Sequence, residues 1–174
     1  MMELPGSLGV QLLIFICYLL ITGYLIIQSY LMKRGSNYLP TPALEIKKIL
    51  PFIHSGDQVI DLGSGYGEVM EAMATRHPSG VTGVELDPIR YLLTRFRLRQ
   101  GNFPSYTYLF KDFWYVDLSK ADVVFTFFIP HHMAKLYAKA KQEMKKGSWF
   151  ISFRHQVPHV IPTKTQGEML FFKM

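Results

Sequence analysis

Three carboxylates and a run of glycines carry most of the chemistry legible in this chain. Residues 58–68 read QVIDLGSGYGE, an apolar stretch that ends in Asp61 and passes at once into Gly63-Ser64-Gly65-Tyr66-Gly67. Gly63, Gly65 and Gly67 allow a turn, and a close approach to its backbone, that a Cβ would hinder. EVMEAMATR follows with helical character. A strand, a glycine turn and a helix N-terminus in succession can hold an adenosine-bearing cofactor. Asp61 is placed to order the turn or to accept from a cofactor ammonium. Roughly twenty residues further on, the spacing at which a ribose-binding acid falls, GVTGVELD ends a second strand in Glu85. A carboxylate there can accept from both ribose hydroxyls. Asp112, just after a third apolar run, can accept from an exocyclic adenine amine, with Phe113 beside the ring.

Spacing argues against other uses of such a turn. A nicotinamide fingerprint runs G-x-G-x-x-G, whereas this turn is G-x-G-x-G with Glu68 where the third small residue belongs. No Gly-Lys-Ser/Thr ending makes it a phosphate loop, and Ser64 does not lie in a G-x-S-x-G elbow. The single cysteine, Cys17, excludes a disulfide framework and a cysteine zinc site. His155 and His159 are separated by Pro158, which breaks a helical metal pair, so no metal is expected. His131 and His132 open a helix near the expected site. Of the two, His131 is the stronger candidate to orient a substrate or take a proton.

The elements that must position these residues alternate. Strands are expected at 58–62, 81–85, 106–110, 121–128 and 148–154, and helices at 68–77, 88–100 and 131–146. The final GEMLFFKM is expected to add a strand at an edge. This alternation implies an α/β fold, a Rossmann-like, doubly wound and mostly parallel sheet with helices on both faces. The site then lies at the carboxyl ends of the strands, near a topological switch point. Before the first strand, TPALEIKKILPFI is read as a helix with Thr41 as N-cap, Pro42 at N1, and Leu44, Ile46, Ile49 and Leu50 toward a core. In helix 88–100, Arg90, Arg95, Arg97 and Arg99 are read as a solvated face, with anionic headgroups as the next contact. Tyr91, Leu92, Leu93, Phe96 and Leu98 are read as core.

The 174 residues suffice for one domain and an appendage, and they carry a net charge of +6. Such a balance suits acidic surroundings, but no nucleic-acid recognition motif accompanies it, and no nucleic acid is expected as partner. From Leu4 to Met32 no residue is charged. About 23 helical residues span about 35 Å, enough for a bilayer core. The stretch is long for a signal peptide, carries Glu3 in place of a basic start, and has no small-x-small cleavage site. Lys33, Arg34, Lys47 and Lys48 follow it, which orients the C-terminal side toward the cytoplasm or mitochondrial matrix. The expectation is a single-pass anchor over 1–35, closed by the break at Gly35-Ser36-Asn37, and a soluble domain over 36–174.

Taken in order, VIDLGSGYGEV, GVELDP, KDFW and ADVVFTFFIP resemble the class I S-adenosylmethionine-dependent methyltransferases. The hydrophobic N-terminus, YLPTP, the LGSG turn, and Phe127-x-x-Pro130 before a helix carrying a methionine narrow the resemblance. They are similar to the small membrane-anchored family that holds the mitochondrial lysine methyltransferases of the ATP synthase c subunit and the adenine nucleotide translocase. The resemblance implies S-adenosyl-L-methionine as cofactor and a lysine of a membrane protein as substrate. It assigns Asp61, Gly63, Ser64, Gly65 and Gly67 to the methionine side of the cofactor, Glu85 to the ribose, and Asp112 with Phe113 to the adenine. Phe128, Pro130 and His131 fall where methyltransferase substrates enter. The family pattern LGSGDGR reads LGSGYGE here, so Tyr66 replaces an acid and Glu68 a base. A carboxylate at 68 would repel the cofactor's own carboxylate unless it points to solvent. Methylation of a lipid or lipophilic small molecule, or a catalytically silent membrane-bound module, are the alternative readings.

Overall fold

A computed structural model of the chain describes residues 8–33, 38–100 and 106–174. The chain divides into two units, Met1–Arg34 and Gly35–Met174. The first holds α1 (Leu8–Lys33), a helix of 26 residues that is long and apolar enough to cross a membrane. Arg34 and the break at Gly35-Ser36-Asn37 lie outside the described residues.

The second unit is built on seven strands. β1 (Gln58–Leu62), β2 (Gly80–Glu85), β3 (Tyr106–Phe110), β4 (Val123–Thr126) and β5 (Trp149–Phe153) are joined by β6 (Lys164–Gln166) and β7 (Met169–Lys173) in the order β3-β2-β1-β4-β5-β7-β6. The first five are parallel, and β7 runs antiparallel to both β5 and β6. The chain steps outward from β1 to β2 and β3, then returns to the other side of β1 for β4. The strand order therefore reverses between β1 and β4, which opens a crevice at their carboxyl ends.

Alternation along the strands sends residues to two cores. Ile60 and Leu62 of β1, Val124 and Phe150 face α5 (Pro130–Glu143), where Met133, Leu136 and Ala140 complete one layer. Val59, Val81, Phe125 and Ile151 face Met70 and Met73 of α3 (Glu68–Ala74) and the buried Ile49 and Ile53. Burial on both faces explains why the central strands are almost continuously apolar. α4 (Pro88–Gln100) packs over β2 and β3 through Arg90, Thr94 and Leu98.

Several boundaries differ from expectation. β4 stops at Thr126, leaving Phe127 and Phe128 outside the ladder. The segment before β1 forms only a short helix, α2 (Ala43–Ile46), followed by a 3-10 turn at Leu50–Phe52. Pro51 cannot donate to a continuing helix and disfavours the α conformation at Leu50. Pro42, with ψ 140°, occupies the N-cap position expected for Thr41 and makes no side-chain cap. Leu44 is exposed where it was expected to face the core. β7 is an inner strand, and the outer place belongs to β6, whose Lys164-Thr165-Gln166 shows no apolar alternation. Gly167, at φ 62°, makes the tight connection between them.

Candidate cofactor and active site

The crevice is built on the turn that follows β1. Gly63 and Ser64 N–H groups both donate to the Val84 carbonyl at 2.9 Å, and Gly67 N–H donates to the Ser64 carbonyl at 2.7 Å. Gly63 and Gly65 take φ of 75° and 55°, the left-handed region that a side chain disfavours. Space is as restrictive as torsion. A Cβ on Gly63 would lie 2.9 Å from the Phe128 ring, and one on Gly65 would lie 2.8 Å from the Tyr38 ring. Gly67 is the N-cap of α3. The turn is therefore held between two aromatic rings, Phe128 just beyond β4 and Tyr38 from the segment before α2.

Glu85 fastens this turn to β2. Its Oε2 accepts from Gly65 N–H at 2.9 Å, while Oε1 accepts from Leu86 and Asp87 N–H at 2.8 and 2.7 Å. Arg90 Nη2 lies 3.6 Å from both Glu85 Oε1 and Asp87 Oδ2. Contrary to the reading of Arg90 as part of a solvated face, this arginine is buried, with its guanidinium over the Tyr38 ring. Beneath the turn, the Gly65 carbonyl accepts from the Tyr108 hydroxyl at 2.7 Å and the Thr94 hydroxyl at 3.3 Å. Burial pushes the Tyr108 phenol up, which keeps it protonated as a donor.

Asp61 is the electrostatic anomaly of the crevice. It is buried and its Oδ2 has no hydrogen-bond partner; the same holds for Ser64 Oγ. Burial, then the charge of Glu85, then that of Glu68 hold its carboxyl well above the ordinary carboxylate range. A buried acceptor left unmatched carries a desolvation cost that a ligand donor or cation would offset. Asp61, Ser64, Glu85 and Glu68 all line one cleft. This acceptor-rich lining fits a ligand bearing an ammonium and vicinal hydroxyls. Glu68 is exposed and accepts from the Tyr38 hydroxyl at 3.2 Å. Its carboxylate nonetheless lines the cleft and acts on Asp61.

Not every expected site residue lines that cleft. Asp61, Gly63, Ser64, Gly65, Glu85 and Phe128 do, together with Tyr38, Thr41, Arg90, Phe125 and Phe127. Asp112 caps the 3-10 turn at Phe113–Tyr115 by accepting from Trp114 N–H at 3.1 Å. Phe113 is buried and stacks on Phe128 with ring centroids 4.1 Å apart, so it touches the cleft through Phe128. Pro130 and His131 open α5 and are exposed, with the His131 ring 3.8 Å from that of His132. Tyr38 and Arg90 were not among the residues expected at the site. Their signals in the sequence are weak: a lone tyrosine before a proline pair, and one arginine among four.

The sheet order, the glycine turn after β1 and the acid at the end of β2 define the class I S-adenosylmethionine-dependent methyltransferase fold. An RNA methyltransferase from Salinibacter ruber, solved with S-adenosyl-L-homocysteine, superposes with a TM-score of 0.72 at 23% identity over 78% of this chain and 93% of its own. A SAM-dependent O-methyltransferase from Thermotoga maritima gives 0.58 at 20% identity over 70% and 48%. Residues 61–164 match the ANTKMT methyltransferase domain model, and the chain belongs to that family. The lysine N-methyltransferase of the ATP synthase c subunit is 29% identical in Rattus norvegicus and 30% in Xenopus laevis, in each case over 79% of this chain. The chain spans 64% and 62% of those relatives, less than two thirds of either.

Proposed function

We propose that this chain is a membrane-anchored, S-adenosylmethionine-dependent methyltransferase that modifies a lysine of a membrane protein. The observation that carries the cofactor reading is the buried Asp61 carboxylate, its Oδ2 unmatched, set beside Glu85 at a glycine turn. The lysine reading rests on the relatives named for that activity on the ATP synthase c subunit, a membrane protein. The anchor is assigned to α1, and the basic residues Lys33, Lys47 and Lys48 after it support a cytoplasmic or matrix side for the domain.

When bound, S-adenosylmethionine supplies an electrophilic methyl group on a sulfonium. Asp61, with Gly63, Ser64, Gly65 and Gly67, would hold its methionine end, Asp61 accepting from the ammonium. Glu85 has lone pairs left on Oε2 for ribose hydroxyls while its other contacts keep the turn in place. Asp112, with Phe113 behind Phe128, is assigned to the adenine end. Phe125, Phe127 and Phe128 form an apolar wall that desolvates an incoming lysine. Desolvation lowers an amine's pKa, so the attacking nitrogen is neutral without a dedicated base and its proton passes to water. Phe128, Pro130 and His131 form the substrate approach, with His131 orienting the chain that carries the lysine. Positioning and exclusion of water are the protein's contribution.

Calorimetric titration of S-adenosylmethionine into the detergent-purified protein tests the cofactor reading. Saturable binding is expected, weakened about tenfold or more by Glu85→Ala, which frees the Gly65, Leu86 and Asp87 amides. No binding to a folded protein would leave the silent module as the better account.

A further inference from the structure

α4 presents two opposed faces, one packed on the sheet and one apolar and open to solvent. At about 100° per residue, Arg90, Thr94 and Leu98 share the side that packs on the sheet. Ile89, Leu92, Leu93 and Phe96 fall on the arc directly opposite. They are 44%, 60%, 55% and 66% exposed, so these large side chains, of which Leu92, Leu93 and Phe96 were expected from sequence to be core, face solvent. Single exposed leucines are ordinary, but a contiguous stripe on one helix marks a contact surface. Its borders are cationic. Arg95 and Arg99 edge the stripe on one side and Arg97 on the other, and α4 contains no acidic residue. Arg95 donates to Tyr91 at 2.9 Å, and Arg97 pairs with Glu71 at 2.7 Å and bonds the Tyr66 carbonyl. An apolar stripe between arginine borders is the pattern of a helix lying in a membrane interface.

We infer that the outer face of α4 docks the domain on an anionic lipid surface, Ile89, Leu92, Leu93 and Phe96 entering the headgroup–acyl boundary and Arg95 and Arg99 meeting lipid phosphates. Charge complementarity selects lipid over a second copy of this chain, because two copies would bring their arginine borders together. A chain that also carries a membrane-length helix has such a surface within reach. α4 starts three residues after Glu85 and its Arg90 lines the cleft. Docking by this helix would hold the neighbouring site close to the membrane, where a lysine at the end of a transmembrane segment would be. The inference deepens the proposed membrane-protein substrate but does not depend on methyl transfer.

The test uses the full chain with Cys17→Ser, carrying Phe96→Cys or, as control on the exposed face of α5, Ala138→Cys, each labelled with an NBD fluorophore. Proteins whose cooperative melts match the parent are reconstituted into phosphatidylcholine vesicles with or without phosphatidylglycerol, with acyl chains brominated in parallel samples. The expected result is a blue-shifted emission at position 96 and roughly twofold quenching by brominated chains. That quenching should depend on phosphatidylglycerol, fall with Arg95→Glu/Arg99→Glu, and be absent at position 138. Co-flotation with vesicles but no quenching at 96 would overturn this inference and leave the α1 anchor standing; no flotation would overturn both. Quenching indifferent to phosphatidylglycerol and to the arginine changes would overturn the anionic-lipid docking. A blue shift that grows with protein concentration without bromine quenching would assign the face to a second copy, against the inference.

Discussion

Asp61, proposed to bind the cofactor, is placed where a carboxylate costs stability. Burial and two neighbouring carboxylates hold its carboxyl well above the ordinary range, so the folded state keeps this proton more tightly than the unfolded chain. That contribution to stability is fully present below the ordinary carboxylate pKa and is lost as pH rises through the folded value. At neutral pH the ligand-free domain carries the deficit. Asp61→Asn is therefore expected to raise the ligand-free melting temperature by about 4 °C, on the order of 1 kcal/mol. The same change should flatten the melting temperature's decline with rising pH and weaken S-adenosylmethionine roughly ten- to hundredfold. Melts across a pH series, paired with calorimetry, check both halves. A second consequence concerns protons. Binding a cationic group beside Asp61 lowers its pKa, so proton release should appear as a binding enthalpy that varies with buffer ionisation enthalpy. Asp61 and the glycines were legible in sequence because one short segment fixes their spacing, and Glu85 because it ends the next strand. Tyr38 and Arg90 were not, because their roles arise only when separate elements meet over Gly65.

At the scale of elements, the glycine turn depends on what presses on it. Phe128 covers Gly63, and Phe113, from the 3-10 turn after β3, backs Phe128. Phe113→Ala removes a buried ring and should cost about 3–4 kcal/mol in urea denaturation, with weaker cofactor binding as Phe128 loses its support. Phe113→Leu keeps most of the volume and should cost about 1 kcal/mol, retaining near-normal affinity. A large affinity loss in the leucine variant would instead point to direct ring contact with the ligand. The strands β1, β2 and β3 and the helix α4 could be read from sequence because apolar runs and breakers bound them sharply. β6 could not, since three polar residues form a strand only through pairing with β7. The pre-β1 helix was overcounted because its helical spacing continued through Pro51, where the backbone could not follow. The α4 face was misassigned for a related reason: periodicity identifies an apolar stripe, but here the side that packs on the sheet carries Arg90 and Thr94 beside Leu98, and the apolar stripe lies outside.

For the molecule as a whole, the proposed function gives α1 and the domain one shared end, the confinement of a methyl-transferring site near a bilayer. Confinement raises the local concentration of membrane substrates without any new contact at the site. Truncation after Lys33 should therefore lower methylation of membrane-embedded acceptors while leaving S-adenosylmethionine affinity unchanged, as calorimetry on the truncated domain, once shown to fold, would read. The doubly wound class could be anticipated from alternating strands and helices, and the membrane-length helix from its uncharged run. The substrate is a property of the partner that meets the cleft, and no residue spacing encodes it. The most direct measurement supplies S-adenosylmethionine with an isotopically labelled methyl to the full chain reconstituted with native membranes, followed by peptide and lipid mass spectrometry. Label on a lysine of a membrane protein, abolished by Glu85→Ala, is the expected result. Label confined to lipid, or none from a protein that binds S-adenosylmethionine, would contradict lysine methylation.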